Sequence, residues 1–400
     1  MPSLELHLAR LLLATVVLPA ALSSSLAVQA QPLPNGVPAQ SIWQLETTPD
    51  IGAANVLMSL SADSEDDIWS VGDFVSLQFN GSVWTALPLV AFETTQPSED
   101  TMSSVAATSP ADVWAVGSAL VETESGGSHL IGMIEHFDGT QWSIVTSPQF
   151  ASGVELSAIH AVSANDIFAV GESNADAQQP NPLVEHFDGT SWSVVALPQL
   201  GNGQTGALLG IAVISGTDIW VIGDSGSVVP TAIIAMHFNG QEWSIVPVPV
   251  PLNGKIHGLD FGRGVTAIAT SDVWAVGDFT NLAGVQKTLT EHWDGKAWKI
   301  VPSANAGQAG DASRLEGVTA ISSTDVWACG QTQDPTVGFT NLIEHWDGTR
   351  WTISPVAPGN EFAGLATMLA FPSGSVFAAG SDFGQNGSLI SVIFHTTLGK

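Results

Sequence analysis

Two residue types recur at fixed places along the chain, and both can do chemistry. A His opens the phrase His-Phe/Trp-Asp/Asn-Gly-x-x-Trp at His136, His186, His237, His292 and His345, and Gln78 stands in its place in the first copy. An Asp opens the phrase Asp-Ile/Val-Trp/Phe-x-Val-Gly at Asp67, Asp112, Asp166, Asp218, Asp272 and Asp325, with Ile222 and Cys329 replacing the Val in two copies. A worn copy runs Ser375–Gly380 and is followed by His395. Imidazole beside carboxylate is the chemistry of an acid–base pair or of a metal site. A third set follows the phrase's Gly. That residue is acidic in four copies, Asp73, Glu172, Asp224 and Asp278, and is Ser118, Gln331 or Ser381 in the others. Carboxylates gathered in a collar can bind Ca²⁺, or a cationic or hydroxyl-rich ligand.

The spacing of these residues defines the elements that must position them. The Asp phrase returns every 45 to 54 residues, and the His phrase follows each copy once. Two short apolar phrases per unit of about 50 residues are the signature of propeller blades. In the third unit, Leu156–Val162 reads as strand A, Ile167–Gly171 as B, Leu183–Phe187 as C and Trp192–Ala196 as D. Asp188-Gly189 joins C to D as a tight hairpin, because Gly accepts the positive φ that this turn needs. Strands B and D are apolar at nearly every position, which fits sheets covered on both faces. No window carries a sustained helical period. The fold class is therefore all-β, a seven-bladed propeller with four-stranded blades.

The two ends of the chain predict how the ring closes. The seventh unit ends at His395–Lys400, where its strand D should begin. Ile42-Trp43-Gln44-Leu45-Glu46-Thr47-Thr48-Pro49 reads like the D strand that starts at Trp142. The N-terminal strand is thus expected to complete the last blade, within one domain spanning 41–400. Residues 31–40 form a Pro-rich linker. Residues 1–30 carry Arg10, the apolar run Leu11–Leu22 and small residues before Gln31, the pattern of a secretory signal peptide. A retained membrane anchor is the alternative to cleavage after Ala30. With cleavage, the mature body should be secreted or held in the cell envelope, without membrane insertion, and as a monomer.

This architecture reduces the chemistry that the recurring residues can do. Strand C is third from the axis, roughly 15 Å out at the usual strand spacing. Equivalent His residues would lie on the order of 13 Å apart, too far to share a metal whose bonds are near 2 Å. The His set and the Asp set are therefore expected to bond within each blade. Trp69, Trp114, Trp220, Trp274 and Trp327 read as inter-blade core, and Cys329 as a buried thiol. The acidic collar at Asp73, Glu172, Asp224 and Asp278 is the candidate ligand face. Its members would stand about 9 Å apart at the backbone, which predicts only weak, non-stoichiometric Ca²⁺ binding and no other cofactor. Solvated acidity, in a chain that is acidic throughout, is the preferred reading of the same four residues, with the ligand collar as its alternative. No catalytic residue and no metal site is assigned.

Composition removes further classes. The chain has 400 residues, 38 Asp+Glu against 9 Lys+Arg and a formal net charge of −29. Nucleic-acid partners are excluded by the lack of clustered Lys and Arg. The single Cys excludes an intrachain disulfide and a Cys-based zinc site, and the absence of Tyr excludes phenol nucleophiles. Gly201–Gly206 matches a dinucleotide fingerprint by letter only, since no helix follows.

The unit of strand A, Asp-Val-Trp-Ala-Val-Gly, strand C and Asp-Gly-Thr-x-Trp resembles the repeat of secreted bacterial propellers of the Asp-box type. It is also similar to photosystem II stability-factor propellers and, loosely, to kelch repeats. It departs from the Asp-box pattern, since Asp138 and Trp142 are four apart rather than five, and it lacks the kelch double Gly. The resemblance implies the propeller; function lives in sites grafted on such folds. The loops between B and C and between D and the next A vary most, so they are expected to carry the site. The expected function is binding or scaffolding of a glycan or of an envelope or extracellular protein, without catalysis. A glycan-acting enzyme with a carboxylate pair on the same face is the alternative.

Overall fold

The structure is a computed structural model. It describes residues 43–49, 56–73, 75–90, 101–122, 127–175, 179–201, 204–226, 232–251, 264–304, 312–334, 338–356, 364–383 and 389–398. The signal segment, the linker and parts of the longest loops lie outside the described residues, as do the proposed cleavage site and Arg263. The described chain forms 28 strands in seven antiparallel sheets of four, and contains no α-helix among the described residues. Six sheets are simple meanders. The third blade runs Val154–Ser163, Asp166–Ser173, Asn181–Phe187 and Trp192–Val194 as strands A to D. Strand D is thus two residues shorter than its sequence pattern implied. The A strands of consecutive blades neighbour one another around the ring, and Leu57–Ser64 of blade 1 meets Gly364–Ala370 of blade 7. Strand A is therefore innermost.

Strand B is buried along most of its length because both of its faces meet other blades. Alternation sends its side chains to opposite seams. In blade 4, Trp220 and Ile222 pack with Val273, Ala275 and Trp298 of blade 5. Ile219 and Val221 pack instead with Phe168 and Val170 of blade 3. The strand B Trp meets the strand D Trp of the next blade nearly edge-on. Trp69 and Trp142 have ring centroids 5.9 Å apart at 86°, Trp220 and Trp298 5.3 Å at 89°, and Trp274 and Trp351 5.5 Å at 82°. The closing Gly of the strand B phrase is also forced by packing. A Cβ on Gly117, Gly171, Gly223, Gly330 or Gly380 would overlap a strand A carbonyl oxygen, and one on Gly72 would overlap that of Val56, the residue just before strand A. Next to this close approach, strand A of each of these six blades carries a register irregularity, such as the one between Leu156 and Ala158.

Two blades lack the strand B Trp, and their neighbours compensate. Where strand B has Trp, the residue paired with it on strand A is small or medium: Ser61, Ala106, Ala212, Thr266 and Thr319. Where strand B has Phe168 or Phe377, the paired residue is His160 or Leu369. The larger strand A side chain takes the volume that the smaller ring leaves, as close packing demands. Burial drives the pKa of His160 down to about 4, so it fills this space as a neutral ring.

The ring closes as the chain ends imply. Gln44 and Leu45 pair antiparallel with His395 and Phe394, and the Glu46 amide donates to the Ile393 carbonyl at 2.8 Å. Trp43 supplies the seventh blade with the strand D Trp it otherwise lacks. It is 1% exposed, stands 5.7 Å from Trp327 at 76°, and donates from Nε1 to Ser354 Oγ at 3.1 Å. Its substitution therefore belongs with core truncations, although it sits near the start of the described chain. We expect Trp43→Ala to cost about 3–5 kcal/mol in denaturant unfolding, as much as Trp298→Ala in the middle of the ring. A loss below about 1 kcal/mol would show that the terminal strand is dispensable to closure.

Candidate functional site

The His and Asp sets meet inside each blade, at the end that carries the A–B and C–D turns. His136, His186, His237, His292 and His345 lie 2.7–2.9 Å through Nε2 from Asp112, Asp166, Asp218, Asp272 and Asp325. Register explains the pairing. Each His sits opposite the strand B aromatic, which stands two residues after the Asp that opens the strand and on the same face as that Asp. The imidazole stacks on that aromatic ring, with centroids 4.0–4.4 Å apart in these five blades. In three blades the Trp indole N–H donates to the same Asp: Trp69 to Asp67, Trp114 to Asp112 and Trp327 to Asp325. Each Asp–His–aromatic set is a clamp across strands B and C, complete within its own blade. Blade 1 shows that imidazole chemistry is not required, since Gln78 Nε2 donates to Asp67 at 2.6 Å. The partner still matters to charge. At Asp67 burial, helped by the nearby Asp63 carboxylate, raises the pKa more than Gln78 and Trp69 lower it, whereas at Asp325 burial is outweighed by the bonds from His345 and Trp327 together with the His345 charge, which lower it.

The same end is fixed by its hairpins. Asp138 accepts from the Thr140 hydroxyl and from the Thr140 and Gln141 amides, which lowers its pKa to about 2. Asp347 repeats the arrangement with Thr349 and Arg350. Gly139 and Gly348 occupy the positive-φ position at 90° and 89°. The strand-opening and hairpin aspartates of this face are engaged by its own clamps and turns.

The opposite end, where strand B ends and the B–C loop begins, does not repeat. The four predicted collar residues all lie there, after the strand B Gly. Glu172, Asp224 and Asp278 are 8%, 6% and 2% exposed, and Asp73 is half-buried. They follow the alternation that points the strand B aromatic at the next blade, so they sit in seams rather than on open surface. Their burial is what the solvated-acidity reading did not foresee. Asp278 accepts from Gln286 Nε2 at 2.8 Å. Glu172 stands opposite Glu155 of strand A, whereas Asp224 stands opposite Ala207. Among the described residues, no three His, Cys, Asp or Glu side chains are placed to hold a metal ion.

Blade 6 carries a group that the sequence reading passed over. Arg314 of strand A pairs with Glu316 at 2.9 Å (Nε to Oε1), and its Nε and Nη2 donate to the side-chain oxygen of Gln331 at 3.1 and 3.2 Å. Gln331 occupies the collar position, and Arg314 is its cross-strand partner. The corresponding strand A residues in other blades are Thr101, Glu155, Ala207 and Gly364. A half-buried guanidinium is thus unique to this blade among those described.

Sequence reasoning also missed a set of glutamates on strand C. Glu135, Glu185, Glu291 and Glu344, each just before a clamp His, have no solvent exposure. They face away from the His, toward the preceding blade. Glu135 Oε2 accepts from the Val90 amide of blade 1 at 3.0 Å. Glu344 Oε2 accepts from the Ser303 hydroxyl at 2.7 Å and the Ala304 amide at 3.2 Å, both in blade 5. The signal was the repeated Glu-His dipeptide, legible only once strand C is known to be covered on both faces.

No protein-family model matches this sequence, and no curated protein matches it. Solved structures do. YCF48 from Cyanidioschyzon merolae superposes over 89% of this chain and 99% of its own at a TM-score of 0.55 and 15% identity. The SapL1 lectin, solved with alpha methyl fucoside, covers 77% of this chain and 98% of its own at 0.45 and 12%. The GH74 xyloglucanase from Xanthomonas campestris covers 88% of this chain and 67% of its own at 0.42 and 12%. At 15% identity the likeness to YCF48 shows a shared fold alone, and the count of seven blades is read from this chain's own sheets.

The clamp makes a prediction that separates structure from catalysis. His186→Ala leaves Asp166 without its partner and is expected to cost about 1–3 kcal/mol of stability. His186→Gln should recover a large part of that loss, because Gln78 already serves in blade 1. Unfolding midpoints of the two variants decide it, and a Gln variant no better than Ala would remove the clamp from the account of blade stability.

Proposed function

We propose that the chain is a secreted, non-enzymatic binding or scaffolding propeller. Its ligand is a glycan or an envelope or extracellular protein, held on the face of the B–C and D–A loops. The observation that carries this reading is the contrast between the two faces. One end repeats the same clamp and hairpin from blade to blade, so its recurring Asp and His residues have structural partners. At the other end equivalent positions carry different groups: the residue after the strand B Gly is an acid in four blades and Ser118, Gln331 or Ser381 in the rest, and its strand A partner is Glu155 in blade 3 but Arg314 in blade 6. A rigid scaffold with one varied face is the usual arrangement for recognition. A guanidinium beside acceptor side chains suits a ligand rich in hydroxyl groups, since it donates while the acids accept.

One observation favours a second reading, a glycan-acting enzyme. Glu155 and Glu172 are directly opposed on neighbouring strands. Opposed residues have Cα atoms about 4.5–5.5 Å apart, which brings two carboxyl groups into the range used by glycosidases.

An oligosaccharide array, read for retention and for released reducing ends, tests both. Retention without product, weakened at least tenfold by Arg314→Ala in a folded variant, is the expected outcome. Product formation abolished by Glu172→Gln would establish the enzyme instead. Failure to retain any oligosaccharide, together with failure to bind isolated envelope proteins, would defeat the binding reading. Ca²⁺ is proposed to bind only weakly, so millimolar Ca²⁺ should leave the melting temperature nearly unchanged. A rise above about 10 °C, abolished by Asp224→Asn/Asp278→Asn, would establish a specific metal site.

A further inference from the structure

The four buried strand C glutamates are not equivalent, and the difference traces to a single position in the preceding blade. Val90 and Ala304, whose amides serve Glu135 and Glu344, each stand six residues after the strand D Trp of their blade, Trp84 and Trp298. The same position ahead of Glu185 is Pro148, after Trp142. Ahead of Glu291 it is Pro249, after Trp243. Proline has no N–H to give. Neither carboxyl oxygen of Glu185 or of Glu291 makes a hydrogen bond among the described residues, and both side chains have 0% exposure. Ser147 matches Ser303 in place, but its hydroxyl engages Gln149 Nε2 at 3.0 Å, and Val248 offers no hydroxyl at all. Two of the other blades make the opposite match. Met236 and Leu77 are apolar where the sixth residue is Pro198 or Pro49. Blades 3 and 5 therefore combine an acid with a missing donor.

We propose that Glu185 and Glu291 are proton-binding sites that make the blade 2–3 and blade 4–5 seams a pH-sensitive latch, closed while each carboxyl keeps its proton and loosened when it ionises.

A carboxylate without partners is far more costly to bury than a carboxylic acid. Burial is the cause that raises both groups to about 8, from an ordinary 4.5. The titratable groups that the preceding blades turn toward these seams are the clamp residues His136 and His237, which stack on Trp114 and Trp220 and bond their own Asp112 and Asp218. Glu185 is flanked across its strands by Ala169 and Val194, and Glu291 by Ala275 and Ile300. The described chain after each preceding strand D, from Thr146 to Phe150 and from Pro247 to Pro251, carries no ionisable side chain. The clamp residues His186 and His292 lie on the opposite faces of their strands. The sign follows from the raised values. The folded state holds protons that the unfolded state has released above about 4.5, so stability falls as pH rises until the folded groups ionise near 8. His160 titrates below this range in the folded state and near 6.5 when unfolded, so its contribution is complete before the upper part of the window.

The test is the unfolding equilibrium of the whole mature chain between about pH 6.5 and pH 8.5, in wild type and in two double variants. Each retained proton raises the unfolding constant up to about tenfold per pH unit, so wild type should lose stability steeply. Glu185→Gln/Glu291→Gln removes both protons and should flatten the profile. Pro148→Ala/Pro249→Ala keeps the acids but restores the main-chain donors, and should also flatten it. A Gln double variant that falls as steeply as wild type would overturn the proposal. If that variant fails to fold, infrared spectroscopy of wild type decides. A protonated-carboxyl C=O band at neutral pH that disappears above about pH 9 is expected, and its absence at neutral pH would overturn the proposal.

Discussion

The ring depends on one repeated contact, a strand B tryptophan set edge-on against the strand D tryptophan of the next blade. A blade of four strands cannot bury its own faces, so each must use its neighbour as its core. Large rings do this with few residues, and their T-shaped geometry adds a directional preference to the burial. The contact also explains the closure. Blade 7 lacks a C-terminal strand D, and without Trp43 the Trp327 indole of blade 6 would face a void. The two strand B positions that hold Phe show the same constraint from the other side, because His160 and Leu369 replace the missing ring volume.

Given that packing, the polar residues divide by the face of the strand they occupy. On strand C, alternate positions point to opposite seams. The His of each Glu-His pair stacks on its own blade's aromatic ring and completes a clamp, while the Glu points into the seam with the preceding blade. The clamp turns residue types that resemble catalytic machinery into a fastening between strands, and Gln78 fulfils the same role without a titratable ring. The buried Glu depends instead on a donor roughly forty residues earlier in the chain, which blades 1 and 5 supply and blades 2 and 4 do not.

The two ends of the propeller consequently differ in what they leave available. At the clamp end, hairpin aspartates and strand-opening aspartates are held by hydrogen bonds from blade to blade. At the other end the blades diverge, and in blade 6 an ion pair joins Arg314 to Glu316 while Gln331 ties the same guanidinium to the end of strand B. In a chain of net charge −29, that guanidinium is a local departure from the acidic field.

Much of this architecture was legible in the sequence by itself. The period of the Asp and His phrases, the Asp-Gly turns and the strand-like apolar runs determined seven four-stranded blades. The match between Ile42–Pro49 and the other D strands determined the closure. These are local patterns repeated many times, so each copy corroborates the rest. Placing the His and Asp sets within single blades followed from strand spacing alone. The tertiary structure decided the matters that depend on which blades face each other. It moved Glu172, Asp224 and Asp278 from a surface collar into seams, since strand B's alternation aims them at the next blade. It paired Arg314 with Gln331, which are neighbours only through cross-strand register. It also separated Glu185 and Glu291 from Glu135 and Glu344, although all four occupy the same place in the repeat. The repeat reports what each residue is within its blade. The cost of burying a carboxyl depends on the donor brought to it from another blade, and only the closed ring fixes which chain segment that is.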